Sequence, residues 1–456
     1  MVLNDTIAAI STPAGQGGIG IVRISGEEAI GIADRVFRSP SGKKLSQSPS
    51  HRILYGHVIN GHREDIIDEV LVSVMKAPHT YTKEDVVEIN CHGGAVPVRS
   101  VLEAVLKQGA RLAEPGEFTR RAFLNGRIDL AQAEAVLDVI NALTVQSQKS
   151  SLAQLRGSLS EKIETIRDET AELTAFIEAH IDFPDEEIQS IDRNDMAQRA
   201  AGIRQSLEKL ITGSRYGIIL REGLKTAIVG RPNVGKSSLL NSLLDHDRAI
   251  VTEMPGTTRD VIEEYLNVEG IPLKIMDTAG IRNVEDIAEK EGVRRSLQSM
   301  EDADLVLLVL DGSEELHSTD GELLDKTSGK NTVVIVNKED LEQKLILSSS
   351  ERRIVSISAK QGTGLDKLRK EIVKTALQGQ KEPLSGAVVT NVRHVRALEK
   401  ALASLDSFSE EAARKTSPEF LSLELREALN AIGEIIGITT PDDILNRIFS
   451  NFCIGK

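Results

Sequence analysis

The sequence predicts a multidomain chain of mixed α+β and α/β class. A small N-terminal α+β domain comes first, followed by a discontinuous helical domain with an α/β unit inserted between its two pieces. Three observations predict this. Strand-like and helix-like runs alternate with turn signals over residues 1 to about 125. A strand, a glycine turn and a helix-like run begin at Leu224 and open a series of apolar strands. Amphipathic stripes lie on both sides of that series, and neither would bury its apolar face alone. The boundaries drawn from these patterns are 1–125, 126–222, 223–380 and 381–456.

In the first domain, Ile19–Ile24, Asp68–Met75 and Val86–Cys91 are expected strands. The third ends at Gly93-Gly94, and a helix is expected from Val96 to Lys107. From about Leu130 the period becomes helical. Leu152, Leu155, Leu159, Ile163, Ile166, Leu173 and Ile177 keep steps of three, four or seven, predicting one long helix that ends at Ile181-Asp182-Phe183-Pro184. Met196, Ala200, Ile203, Leu207 and Leu210 mark a second helix. Helical periodicity resumes at Val395, Leu398, Leu402 and Leu405, and again from Phe420 to Ile436. Thr440-Pro441-Asp442-Asp443 predicts a cap with proline in the first turn of a last helix, which runs through Phe449.

The inserted unit carries the chemistry. Gly230-Arg231-Pro232-Asn233-Val234-Gly235-Lys236-Ser237 fits GxxxxGK[ST] between the apolar run Leu224–Val229 and the helix-like run Ser238–Leu244. Backbone N–H groups of such a turn, with the helix N-terminus behind them, form a cage for polyphosphate. Lys236 is expected on the outer phosphates and the Ser237 hydroxyl on Mg²⁺. Asn337-Lys338-Glu339-Asp340 follows the apolar run Thr332–Val336. A carboxylate at Asp340 would accept from the guanine ring N–H and exocyclic amine together, donors that adenine lacks, so rejection leaves a buried carboxylate unpaired. Asn337 is expected at the imidazole edge, the Lys338 stem on the base face, and a backbone N–H of Ser358-Ala359-Lys360 at the guanine oxygen.

Asp277-Thr278-Ala279-Gly280 ends the run Leu273–Met276. Asp277 is expected to hold Mg²⁺ through water, and the Gly280 N–H to meet the γ-phosphate. Upstream, Thr252-Glu253-Met254-Pro255-Gly256-Thr257-Thr258 is expected along the nucleotide, with Thr258 closing on Mg²⁺. These motifs in this order predict a Ras-like P-loop GTPase domain.

The catalytic apparatus departs from the Ras pattern. The residue after the Asp-Thr-Ala-Gly motif, where a water-orienting Gln is expected, is Ile281. Carboxylates follow soon after, from Glu285 to Glu291. Arg259 and Arg282 are the nearby candidates for an arginine finger. A monovalent cation is the other source of charge, with the Asn233 amide oxygen and carbonyls near Met254 as donors.

Composition bounds the partners. The 456 residues carry a formal charge of −14. Residues 1–127 hold 15 Lys+Arg against 14 Asp+Glu and the remainder 40 against 55, which argues against a uniform electrostatic grip on nucleic acid. Two cysteines, Cys91 and Cys453, make no disulfide framework and no CxxC site, as suits a reducing cytoplasm. No apolar run reaches membrane-spanning length and the N-terminus does not begin a signal peptide. Cys91-His92 is expected as strand-end packing, because two adjacent residues make no metal site.

Over its whole length the chain resembles the MnmE (TrmE) family of tRNA-modification GTPases. The marks are Asp5–Ala9 with Gly17–Gly26, Pro115–Asn125, Leu130–Ala135, Ile181–Glu187, Gly230–Asn233 and the terminal Phe452-Cys453-Ile454-Gly455-Lys456. The resemblance implies an N-terminal folate-binding and dimerising domain. It also implies an FAD-dependent partner, MnmG (GidA), in a heterotetramer. Together they would place an aminomethyl-type or carboxymethylaminomethyl group on carbon 5 of the wobble uridine of certain tRNAs. The one-carbon unit would come from 5-formyltetrahydrofolate or a related tetrahydrofolate. It implies K⁺ held by Asn233, Thr252, Met254 and Thr257 in place of an arginine finger, and Glu289 as the water-orienting carboxylate. Folate positions carry over as Arg23, Glu88, Arg127 and Lys456, with Arg127 standing where some relatives have Lys. Cys453 becomes a candidate reactive thiol near the folate.

Two other classes stay in view. A ribosome-assembly GTPase switch would share Ile281 and the Thr257-Thr258 switch but would usually bring a basic RNA-binding module, and none is visible. A membrane-remodelling GTPase would call for a basic amphipathic segment, which is also not seen.

Overall fold

The computed structural model describes residues 5–60, 65–182, 193–247, 264–276, 298–347, 353–378, 387–414 and 416–456. The chain forms two compact units, Met1–Leu137 with Ile436–Lys456, and Asp138–Ile435. The last 21 residues, grouped from periodicity with the second helical piece, therefore pack with the N-terminal domain.

The first unit is built on a seven-stranded sheet. Its strands are β1 (Ile7–Ile10), β2 (Ile19–Ser25), β3 (Phe37–Arg38), β4 (Arg52–Asn60), β5 (Asp65–Met75), β6 (Val86–His92) and β7 (Arg111–Leu112), in the order β3-β4-β5-β6-β2-β1-β7. All pairs are antiparallel except β1 with β7. Alternate residues of the central strands (Val22, Ile24, Val72, Val74, Val87, Ile89) pack with helices Ala29–Val36 and Ala95–Lys107 in one core. The strands expected from sequence are all present, extended by one to three residues.

Helix Glu117–Leu124 seats the C-terminal segment of this unit. Gly116 precedes it at φ 68°, and a Cβ there would lie 2.5 Å from the Phe449 carbonyl oxygen. The Gly116 N–H donates to the Cys453 carbonyl at 3.4 Å. Arg121, fully buried, has its charge neutralised through Nη1 and Nη2 on Asp5, Glu84 and Glu117, while its Nε is left without a hydrogen-bond partner among the described residues. That neutralisation is what allows a cation in this core.

The second unit joins both helical pieces to the α/β unit. The long helix expected from 152 to 177 is two helices, Val145–Leu155 and Ser158–Asp182. Gly157 at φ 97° breaks the ladder, a backbone turn that a period of apolar residues does not encode. Helix Arg193–Glu222 packs against Val392–Ala413 from the other sequence piece, with Arg204 Nε donating to Asp406 at 2.7 Å. Thr390 Oγ1 donates to Gln154 Oε1 at 2.9 Å, and Arg426 and Ser422 both bond Glu178. The two pieces thus make one discontinuous helical domain. Among the remaining helices, Asp442–Ser450 has Pro441 itself at the cap rather than in the first turn, because its carbonyl accepts from Ile444 and Leu445. Cys453 lies beyond that helix, in a turn.

The inserted sheet has six strands: β8 (Leu224–Val229), β9 (Glu264–Val268), β10 (Ile271–Ile275), β11 (Leu305–Asp311), β12 (Thr332–Asn337) and β13 (Arg353–Ser356). The order is β13-β12-β11-β8-β10-β9, parallel except for the β9–β10 hairpin. Residues Leu305–Leu310 are fully buried, as a central parallel strand covered on both faces requires. Thr144 Oγ1 donates to the Gly270 carbonyl at 2.8 Å, tying a helical-domain cap to the hairpin turn. No described helix is long and apolar enough to cross a membrane.

Candidate functional site

Open parallel sheets bind ligands outside the carboxyl ends of their strands. The P-loop follows β8, the Asn-Lys-x-Asp motif follows β12 and the Ser-Ala-Lys turn follows β13, so all three gather at that edge.

The loop's shape demands its glycines. Gly230 has φ 153° and a Cβ on it would lie 2.3 Å from the Val309 carbonyl oxygen. Gly235 has φ 99° and a Cβ there would lie 2.2 Å from Asn337 Nδ2. Asn233 also takes a left-handed conformation, at φ 65°. The helix Lys236–Asp247 starts directly behind, with its N-terminus toward the loop. Lys236 Nζ donates to the carbonyls of Gly230 and Arg231 at 2.8 and 2.7 Å, which stretches the side chain back over the loop. Burial draws its pKa down from the ordinary lysine value. Ser237 is half-buried at the helix start, and Ser238 is exposed.

Asn337 does more than the sequence implies. Its Nδ2 donates to the Val234 carbonyl at 2.8 Å and its Oδ1 accepts from Ala359 N–H at 3.0 Å. One buried amide therefore joins the P-loop to the Ser-Ala-Lys turn. Ala359 N–H is committed to Asn337, and Ser358 N–H donates to the Thr363 carbonyl at 3.1 Å. Lys360 is then the candidate donor of this turn for the guanine oxygen. Asp340 is exposed, and its Oδ1 accepts from the Ser358 hydroxyl at 2.6 Å. That hydrogen bond holds the carboxyl below its ordinary pKa, so it stays an acceptor.

Lys338, at φ 66°, pairs its ammonium with Asp311 at the end of β11. Burial would raise Asp311, but the Lys338 and Ser313 bonds outweigh it and hold the carboxyl low. The sequence motifs pass over Asp311, although an acid closing a wholly apolar run is a signal. Arg231 is likewise spoken for: its Nε donates to the buried Asp320 at 2.8–2.9 Å and its Nη2 to Glu314 at 3.1 Å.

Thr252, Glu253, Met254, Pro255, Gly256, Thr257, Thr258, Asp277, Thr278, Ala279, Gly280 and Glu289 lie outside the described residues. Of the expected metal ligands, Ser237 and Asn233 are described. A hydroxyl and an amide oxygen are hard donors of the type that Mg²⁺ and K⁺ prefer.

A second cluster lies in the other unit. Arg23 on β2 and Glu88 on β6 are register partners, with Nε and Nη2 both 2.8 Å from Glu88 Oε1. Arg23 Nη1 also donates to the Gly455 carbonyl at 3.1 Å, across 432 residues of chain. The same carbonyl accepts from Ser11 Oγ at 3.1 Å. Gly455, at φ 95°, lies so close to β1 that a Cβ would be 2.3 Å from the Ile10 carbonyl oxygen. Lys456 is half-buried, and burial and then the like charge of Arg23 draw its pKa down, against Glu88 and Cys453. Arg23 lies 5.7 Å from the Tyr81 ring centroid and 5.6 Å from that of Phe118, and Arg127 lies 4.7 Å from Tyr81. Arg23 and Arg127 thus meet at Tyr81, which no sequence motif marks, with Glu88 paired to Arg23 and Lys456 near both Arg23 and Glu88. Its hydroxyl bonds Thr119 at 2.9 Å. Carboxylate, cations and aromatic wall suit a pterin ring with an anionic tail.

The two cysteines differ. Cys453 is exposed. Cys91 is buried with its Sγ donating to the Gly20 carbonyl, and burial pushes its pKa up to about 11. It is inert strand packing, as expected, and no group of metal-ligating side chains is found among the described residues.

The MnmE helical domain model matches residues 130–453, and that of the GTP-binding protein TrmE N-terminus matches residues 6–127. The chain belongs to the MnmE family of tRNA modification GTPases. Family relatives named tRNA modification GTPase MnmE include that of Alkaliphilus oremlandii, 48% identical with 100% of both chains covered. That of Alkaliphilus metalliredigens is 49% identical, again over 100% of both. That of Clostridioides difficile is 48% identical over 100% of this chain. Among solved structures, a point variant of Aquifex aeolicus Era bound to GDP·AlF4⁻ is 27% identical over 39% of this chain and 65% of that one, at a TM-score of 0.24, too low to bear on function. Membership in the MnmE family makes the chain a GTP hydrolase.

Proposed function

We propose that GTP hydrolysis by this chain serves modification of carbon 5 of the wobble uridine in certain tRNAs. The one-carbon unit would be drawn from 5-formyltetrahydrofolate or a related tetrahydrofolate. An FAD-dependent partner of the MnmG (GidA) type would complete the reaction in a heterotetramer, in the cytoplasm. The observation that carries this beyond a bare GTPase is one cluster in which Arg23 pairs with Glu88, lies near Lys456 and shares the Tyr81 ring with Arg127.

At the nucleotide, Asp340 reads guanine and Asn337 keeps the base turn and the P-loop in register. Lys236 neutralises charge on the outer phosphates once it exchanges loop carbonyls for phosphate oxygens. Ser237 and Thr258 would hold Mg²⁺, which spreads the developing phosphate charge. Asn233, Thr252, Met254 and Thr257 would hold K⁺, which supplies the charge an arginine finger would bring. Glu289 would orient the water, and Asp277 would bind Mg²⁺ through water. At the folate, Glu88 would accept from the aminopyrimidine edge and the cations would take the tail carboxylates. Cys453, exposed and close enough to Lys456 to influence its charge, is the candidate thiol there. A homodimer through the N-terminal unit is supported by Ile53, Tyr55 and Leu71, apolar and exposed together on β4 and β5.

The test is mass spectrometry of tRNA nucleosides from cells lacking the chain. The modified wobble uridine should disappear. It should return with the wild-type chain and not with Lys236→Ala. Purified protein should hydrolyse GTP much faster in K⁺ than in Na⁺ at equal ionic strength. An unchanged nucleoside profile in cells without a redundant enzyme would sink the tRNA reading and turn attention to the ribosome.

A further inference from the structure

Six non-glycine residues among those described have a left-handed backbone: His51, Lys83, Asn233, Glu269, Lys338 and Gln378. Such conformations cost free energy and cluster where ligands bind. Asn233 and Lys338 belong to the nucleotide site. His51 (φ 59°) and Lys83 (φ 60°) line one open cavity of about 490 Å³ in the N-terminal unit. That volume lies in the range of small-molecule sites.

The walls include His51, Met75, His79, Tyr81, Lys83 and Arg127, with no carboxylate. Its charge is therefore cationic in a chain of net charge −14. Lys83 Nζ donates to the carbonyl of Gly126, which sets its ammonium next to Arg127 in the chain. The cavity adjoins the cluster above through a shared wall: Tyr81 and Arg127 line it, and Tyr81 also meets Arg23. A ligand whose ring lies by Arg23 and Glu88 and whose first carboxylate meets Arg127 would have any further chain directed into this space.

We infer that this cavity binds the γ-linked glutamate chain of a polyglutamylated tetrahydrofolate, with Lys83 and His79 meeting carboxylates beyond the first. The inference rests on the folate reading of the Arg23–Glu88–Lys456 cluster. The cavity makes the protein a selector of tail length. Each added glutamate brings one more carboxylate to a cationic, partly screened wall, worth a few-fold in affinity per pair.

The experiment is calorimetric titration of the full chain with 5-formyltetrahydrofolate carrying one or five glutamates, at low and high salt. The pentaglutamate should bind about tenfold tighter at low salt, and the ratio should shrink as salt rises. Lys83→Asn, chosen because asparagine tolerates the left-handed backbone, should bring the ratio toward one. His79→Gln is the second variant and should lower it in part. Binding of the monoglutamate with no gain from the longer tail in wild type would overturn the inference and leave the folate reading intact. A gain that survives in both variants would place the tail elsewhere and overturn the cavity assignment. Failure of either ligand to bind would overturn the folate reading and this inference with it.

Discussion

The nucleotide site and the Tyr81 cluster are built in opposite ways. The first is largely backbone: loop N–H groups, a helix terminus and glycines whose missing side chains make room, gathered by parallel strands that end at one edge. The second is side chains from β2, β6, two loops and the chain terminus, held by a buried charge network and one close backbone approach. Backbone sites need short contiguous motifs, because a loop's shape is set by neighbours in sequence. Side-chain sites need only that distant segments arrive together. The first kind is robust to the rest of the fold, and the second depends on every element that delivers a residue.

Base choice gives the sharpest break between the two, with the largest expected effect. Asp340→Asn should weaken GTP and favour xanthosine triphosphate, a swing of about 10³ in the ratio of their affinities. Competition binding with the two nucleotides checks it, and an unmoved ratio would mean the base is read elsewhere. Next comes the same methyl placed in each site. Gly235→Ala meets Asn337 at 2.2 Å and should weaken GTP about a hundredfold. Gly455→Ala meets the Ile10 carbonyl oxygen at 2.3 Å and should weaken tetrahydrofolate about tenfold, by shifting the carbonyl that Arg23 and Ser11 share. Titration of each ligand measures both. If Gly455→Ala left folate binding intact, the terminal turn would not be part of that site.

The smallest expected effect is on pH. Lys456 has its pKa lowered by burial and then by Arg23. A cation that binds an anion must be protonated, so a lowered pKa means its contribution is lost as pH rises, before an ordinary lysine would lose it. Tetrahydrofolate affinity should therefore fall a few-fold as pH rises, at lower pH than an ordinary lysine would give. The fall should vanish in Lys456→Gln, measured by the same titration across pH. A flat profile in wild type would remove Lys456 from the tail's partners.

Much of this is legible in order along the chain. Strand runs, the P-loop and the Asn-Lys-x-Asp motif all rest on local spacing, and the strands lie where alternation puts them. The break at Gly157 is not legible, because apolar steps of three and four continue across it while the left-handed glycine ends one helix and starts another. Asn337 reads in sequence as a base contact, yet it also ties two loops through Val234 and Ala359, which lie 103 and 22 residues away. Tyr81 carries no motif at all. Its role follows from having Arg23 and Arg127 against one ring.

The sequence by itself determined the elements and the nucleotide chemistry, because hydrophobic period and loop glycines act over a few residues and need no distant partner. Its resemblance to a known family named Arg23, Glu88, Arg127 and Lys456 without bringing them together. Only the tertiary structure decided that meeting, through strand register between β2 and β6 and through the seating of the last 21 residues on the N-terminal unit. The physical reason is that register and docking are set by the packing of whole faces. No single residue on either face carries that information.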